Sequence, residues 1–273
     1  MPVPSRPGSR VLSALGLAAA LVLPTAPAAA QGFTAAIAPP RFELQLKPGE
    51  RIREVIEIQH ASGDRGTYRI YTNDWTLGAD LSVQFSDALA PGSCRPWVAL
   101  ERRELTLDAG SRYRYRYEIQ VPADAPPGEC RFAIMVEGLS TAQLQGGPFN
   151  FPVGGRIAVI VYAAIGGAAP KLSVQPAGVQ TVNGQALPVI KVRNDGTAHG
   201  RLAGFLDATD AAGQRLEMAA AENPILPGET RTIALVPVAA EGVKPPTIRY
   251  PLDVRGTLES GAARLPLNAR FEP

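Results

Sequence analysis

Apolar residues recur at every second position over many short stretches of this chain, and helix formers in periodic runs are scarce. The clearest stretch is Arg112 to Val121. Tyr113, Tyr115, Tyr117, Ile119 and Val121 fall on one side of it, and Arg112, Arg114, Arg116, Glu118 and Gln120 on the other. Such period-two alternation marks a half-buried β-strand. The same pattern appears at Ile52, Ile56 and Ile58 within Arg51 to Gln59. It recurs through Thr67 to Trp75, at Leu81, Val83 and Phe85, at Leu105 and Leu107, and at Cys130, Phe132, Ile134 and Val136. Phe33 to Leu46 is extended but interrupted by Pro39-Pro40. Two adjacent prolines cannot both sit in a central ladder, so the segment is predicted to be an edge strand or to change sheets there. A Gln- and Gly-rich loop of about 17 residues follows Val136, and Arg156 to Ile165 is then apolar on both faces.

Turns separate these stretches, among them Lys47-Pro48-Gly49-Glu50 and Asp108-Ala109-Gly110. Roughly seven strands over about 135 residues, with turn signals every 8 to 12, match the expectation for an immunoglobulin-like sandwich. Gly166-Gly167-Ala168-Ala169-Pro170 reads as a hinge. The pattern restarts after it, at Lys171 to Gln175, Leu187 to Val192, Leu202 to Ala208, Arg231 to Val236, Ile248 to Val254 and Ala263 to Phe271. The predicted class is therefore all-β, with two immunoglobulin-like β-sandwich domains, residues 31–166 and 167–273, joined by a short hinge. Leu226-Pro227-Gly228-Glu229 echoes the earlier Lys47-Pro48-Gly49-Glu50 turn, a hint that the halves are related.

Residues 1–30 do not share this pattern. They hold two cations, Arg6 and Arg10, an apolar run from Val11 to Leu23, and the ending Ala28-Ala29-Ala30. These are the three parts of a secretory signal peptide, with cleavage expected after Ala30. The apolar run of roughly 13 residues is short of the about 20 that a membrane span needs; the alternative is an uncleaved N-terminal anchor. The full chain carries +2, and both excess cations lie in this segment, which leaves 25 basic and 25 acidic residues in the exported part. A neutral chain has no global field for nucleic acid or anionic lipid. Gly and Pro, at 27 and 26 residues, are spread along the chain as turn punctuation would be.

Export also bears on Cys94 and Cys130. In an oxidising compartment an even pair usually closes, so a structural disulfide is expected. The alternatives are two separate buried thiols or a redox pair, and the spacing is far from C-x-x-C.

The order of pieces resembles the periplasmic pilus-assembly chaperones of the chaperone–usher class. It is carried by the signal peptide, the Pro39-Pro40-Arg41-Phe42-x-Leu44 opening, Lys47-Pro48-Gly49-Glu50, a Tyr-x-Ile-x-x-x-Asp74-Trp75 strand, the apolar Ile157 to Ile165 strand, a hinge and a second sandwich. The likeness spans nearly all of the exported chain in architecture and the first domain in motif. It looks closest to atypical members whose first domain carries a disulfide. It implies β-strand addition, in which the last strand of the first domain is lent to an unfinished client domain. Arg156, Ile157, Val159, Val161 and Ala163 are then client-binding candidates; the alternative is a central strand buried on both sides with no client. The family holds the client's terminal carboxylate with two basic residues. Arg41 matches the first, as a guanidinium suits a carboxylate; the bland reading is an edge residue paired with a local acid. The second is a lysine in the last strand, and here Val159 stands in its place, with Arg156 the nearest cation.

Other chemistries have little support. In Arg112 to Tyr117 the arginines and tyrosines lie on opposite strand faces, so they cannot jointly grip nucleic acid. His60 and His199 fall in predicted loops without partners at ligand spacing, so no metal is expected. There is no G-x-S-x-G element, Walker loop or G-x-G-x-x-G run. The expectation is a non-enzymatic periplasmic chaperone for pilin-like subunits, with an outer-membrane usher as a further candidate partner, and no cofactor, nucleic acid or small-molecule substrate. The alternatives are an exported immunoglobulin-like structural or adhesive envelope protein, and an enzyme with an added sandwich.

Overall fold

Alternating residues that bury one face give two packed β-sheets in the first half of the chain. The computed structural model describes residues 35–139, 142–145, 150–153 and 155–273. The signal peptide expected at residues 1–30, and Phe33 of the opening segment, lie outside the described residues. Strands β1 (Ala35–Ala38), β2 (Arg41–Leu46), β3 (Arg51–His60), β4 (Gly66–Leu77), β5 (Val83–Ser86), β6 (Val98–Leu100), β7 (Glu104–Leu107), β8 (Arg112–Gln120) and β9 (Gly128–Gly138) lead to a short pair, β10 (Ala142–Gln145) with β11 (Asn150–Val153), and then to β12 (Arg156–Ile165). That pair falls in the stretch expected as a Gln- and Gly-rich loop.

One sheet runs β1-β3-β8-β6; the other runs β2-β12-β9-β4-β5, with β7 also on β4. Pro39-Pro40 separates β1, which pairs with β3, from β2, which pairs with β12, so the opening segment does change sheets. Between the sheets lie Ile56, Ile58, Tyr115, Tyr117 and Ile119 from one side and Ile70, Phe132, Ile134, Val159 and Val161 from the other, all but sealed from solvent. Each such side chain contributes about 1.5–3 kcal/mol of burial. The arginines of β8 and β3 point outward to acids, Arg112 to Glu57 and Arg51 and Arg53 to Glu118. The Cys94–Cys130 disulfide closes, tying the turn before β6 to β9 with the Cα atoms 6.0 Å apart.

Gly166 and Gly167 adopt positive φ after β12 and redirect the chain. Strands β13 (Leu172–Val182), β14 (Gln185–Asn194), β15 (Phe205–Thr209), β16 (Arg215–Ala220), β17 (Thr230–Pro237), β18 (Leu252–Ser260) and β19 (Ala263–Phe271) follow. They pair in the order β13-β14-β17-β16-β15-β18-β19 and wrap a second core containing Ile190, Met218, Ile233, Leu235, Leu258 and Phe271. The sequence pattern missed β16, where Leu216 and Met218 alternate with Arg215 and Glu217 over only six residues. Among the described residues no helix is long and apolar enough to cross a membrane.

The outer face of the six-stranded sheet is apolar as well. Trp75, Ala133, Met135 and Tyr162 form a separate buried cluster there, flanked by Tyr71, Phe85, Ala158 and Ile160 and touched by Leu226 of the second half. Trp75 belongs to this outer cluster because position 75 alternates to the face opposite Ile70. Arg231, itself buried, reaches across to the carbonyls of Gly78 and Ala79.

Candidate functional site

Strand register fixes the floor of a cleft between the two sandwiches. On the outer face, Glu43 of β2, Tyr162 of β12 and Arg131 of β9 lie side by side, as do Arg41, Ile160 and Ala133 one step along, and Gln45, Ala164 and Glu129 in the other direction. The wall is the segment 195–201. Its shape depends on Asn194, which is fully buried and uses its whole hydrogen-bonding capacity. Its Oδ1 accepts from the N–H groups of Lys171 and Gly196, and its Nδ2 donates to the carbonyls of Ala198 and Ile225. Gly196 presses on the hinge, where a Cβ would come within 2.4 Å of Ala169 O and Lys171 N.

This turn delivers His199 and Arg201. The imidazole of His199 stacks on Tyr162, and Trp75 meets the same tyrosine edge-on at 5.5 Å. His199 Nδ1 and its backbone N–H both bond Glu129 Oε2, at 2.5 and 2.8 Å, and only 1% of the Glu129 side chain is exposed. Arg201 Nη1 donates to Glu222 O at 2.7 Å, and its guanidinium lies over the Tyr162 ring. Burial raises the Tyr162 hydroxyl above the usual tyrosine value, with Arg201 opposing it. A cavity of about 260 Å³ opens here between Glu43, Tyr162, Ala164, His199, Arg201 and Ser260.

Glu43 Oε1 is the electrostatic centre: Arg41 Nε lies 2.8 Å away, Arg201 Nε 3.4 Å and His199 Nε2 3.5 Å. The donor set is suited to holding a carboxylate. Among the described residues no group of three metal-ligating side chains converges.

The residues singled out from sequence divide into two places. Arg41 stands at the cleft, half-exposed and paired with Glu43. Arg156 points over the ring of Phe85, four residues and so roughly 13 Å along β12 from the position opposite Arg41. The two cations are not brought together; Arg201, from the second sandwich, stands beside Arg41 instead. Val159, Val161 and Ala163 face the protein's own core and are fully buried, while Ile157 is partly exposed and lies outside that core cluster.

The edge of β12 is also divided. From Ile160 to Ile165 it is flanked by β2 on one side and β9 on the other; from Arg156 to Val159 it pairs with β9, and no second strand is present among the described residues. The N–H of Ile160 donates to Pro40 O on the β2 side. Backbone groups alternate sides along a strand, so the N–H and C=O of Arg156 and Ala158 point the same way, past the start of β2.

No family model matches this sequence, and no curated protein matches it. Solved structures similar to it are the YadV chaperone (11% identity, TM-score 0.47, covering 87% of this chain and 99% of that one), the E. coli chaperone DraB (13%, 0.46, 89% and 98%) and the Salmonella enterica SafA pilin in complex with the SafB chaperone (10%, 0.46, 87% and 97%).

Arg201, Glu129 and Arg131 were missed by sequence reasoning, and His199 was weighed only as a metal ligand. Alternation from Cys130 places Glu129 and Arg131 on the outer face of β9. The signal was present: Ala133 and Met135 share that face, and an apolar outer face needs a cover.

Proposed function

We propose that this protein is a periplasmic chaperone that binds unfinished pilin-like domains by adding one of their strands to β12, and that delivers them to an outer-membrane usher. The observation that carries this reading is the edge at Arg156–Val159, which among the described residues has no partner strand, beside an otherwise fully paired strand. Unpaired edges are templates for pairing with another chain, and proteins usually blunt them. An added strand continues the sheet, so Ile157, partly exposed on the inner face, can reach a client's core, while Val159 stays in the protein's own.

Charge supports one direction for that strand. The edge closes where Arg41 lies opposite Ile160. A chain running parallel to β12 ends there with its carboxylate against Arg41 and Arg201; an antiparallel chain brings its ammonium group against two guanidiniums. In this reading the working units are residues 31–166, which hold the strand, and 167–273, which supply the cleft wall.

Co-expression with pilin-like subunits encoded nearby, followed by affinity purification and mass measurement, tests the proposal. A one-to-one complex is expected. Recovery of the protein alone, from cells in which those subunits are synthesised, would remove it.

A further inference from the structure

Three nitrogens lie within 3.5 Å of a single oxygen of Glu43, and they are not equally exposed. Arg201 and His199 are mostly buried, with side chains 19% and 8% exposed. Arg201 is held by Glu222 O and His199 by Glu129. The carboxylate they surround is on a side chain that is 45% exposed. A held guanidinium and imidazole beside an exposed carboxylate, with a second guanidinium from Arg41, make a carboxylate site with a resident occupant.

We infer that Glu43 occupies, in the client-free protein, the site that the terminal carboxylate of an added strand takes, and that Arg201 is the second cation of that site. This rests on the strand-addition reading above. Glu43 cannot leave, but its side chain can turn out into solvent. Glu43 itself is half-exposed, so water screens its side of these contacts and can take its place as the side chain turns out. A chain end arriving on a strand already bonded to β12 competes at high effective concentration. A free small anion has no such advantage, and neither does a chain end on a strand that does not fit. Glu43 thus acts as a filter: it favours carboxylates presented on a matching strand. Arg201 also ties the two sandwiches into one site, because Arg41 comes from the first and Arg201 from the second.

The test uses an acetylated six-residue peptide of alternating Thr and Val, with a free carboxylate or as its amide, titrated into the full exported chain by calorimetry. Wild type is expected to prefer the acid form. Glu43→Gln should bind the acid about fivefold more tightly than wild type, the scale of one exposed charge interaction, and the amide equally well. Arg201→Gln should lose the preference for the acid, and Arg201→Lys should recover part of it, which a merely structural role would not produce. An acid-to-amide ratio unchanged in both Glu43→Gln and Arg201→Gln overturns this inference alone and leaves strand addition standing. If neither peptide binds wild type or variant, strand addition itself fails, and the filter fails with it.

Discussion

The imidazole of His199 lies 3.8 Å, centroid to centroid, from the ring of Tyr162, with the planes 25° apart. A residue from the wall of the second sandwich thereby rests on the last strand of the first. Beneath it, Glu129 takes two bonds from the same histidine and sends its own N–H to Thr197 O. The strand that carries the proposed edge and the turn that carries Arg201 are therefore fixed relative to each other.

Loss of Glu129 should loosen that join. Glu129→Ala leaves His199 Nδ1 and a backbone N–H without their acceptor, at a cost of about 3 kcal/mol for a buried bond to a charged group. Scanning calorimetry should show a lower, broader transition that separates toward two. Glu129→Gln keeps an acceptor and should fall between the two proteins. A Glu129→Ala transition as sharp and as high as wild type would mean the contact does not couple the halves.

The disulfide is expected to act mainly on the unfolded chain. Cys94 and Cys130 are 36 residues apart, and closing a loop of that length is worth about 4 kcal/mol in the chain-entropy model. The Cys94→Ala, Cys130→Ala double variant should lose stability of that order in urea unfolding, and reductant should do the same to wild type while leaving the variant unchanged.

An acid response follows from the Arg69–Glu137 pair across β4 and β9, which bond at 2.6 Å. The hydrogen bond from Arg69 holds the Glu137 carboxyl below its ordinary value near 4.5, against a smaller opposing effect of burial. A carboxylate with a depressed folded value stabilises fully above its unfolded value and loses that contribution as pH falls through the folded one. Thermal midpoints of wild type should therefore fall more steeply below about pH 4.5 than those of Glu137→Gln, and the two curves should converge in acid. Parallel curves from pH 7 to 3 would show that the pair contributes nothing measurable, the outcome common for exposed ion pairs.

Period-two alternation made the strands of the first sandwich, the change of sheets at Pro39-Pro40 and the inward tyrosines of β8 legible, because one buried face imposes that pattern. The cleft was less so. Arg41 was visible through its place after Pro40, but Arg201 and His199 come from a turn whose shape is set by Asn194, and a turn has no period. The edge at Arg156–Val159 was hidden for another reason. Arg156 to Ile165 reads as one uniform apolar strand, and where β2 begins beside it depends on where the prolines let the neighbouring segment resume.

That division of β12 supplies the sharpest test of strand addition. Proline lacks an N–H, and in a sheet it is tolerated where that N–H faces away from any partner. At Ala158 the N–H points to the open side, so Ala158→Pro removes one outward donor and places a ring in the path of an incoming strand while leaving the bonds to β9. At Ile157 the N–H points to β9, so Ile157→Pro breaks the protein's own ladder. Ala158→Pro should therefore keep the wild-type circular dichroism spectrum, lose no more than about 1 kcal/mol of stability, and yield no client complex; Ile157→Pro should be unstable. If Ala158→Pro folds and still captures clients at wild-type levels, the open edge is not where they bind.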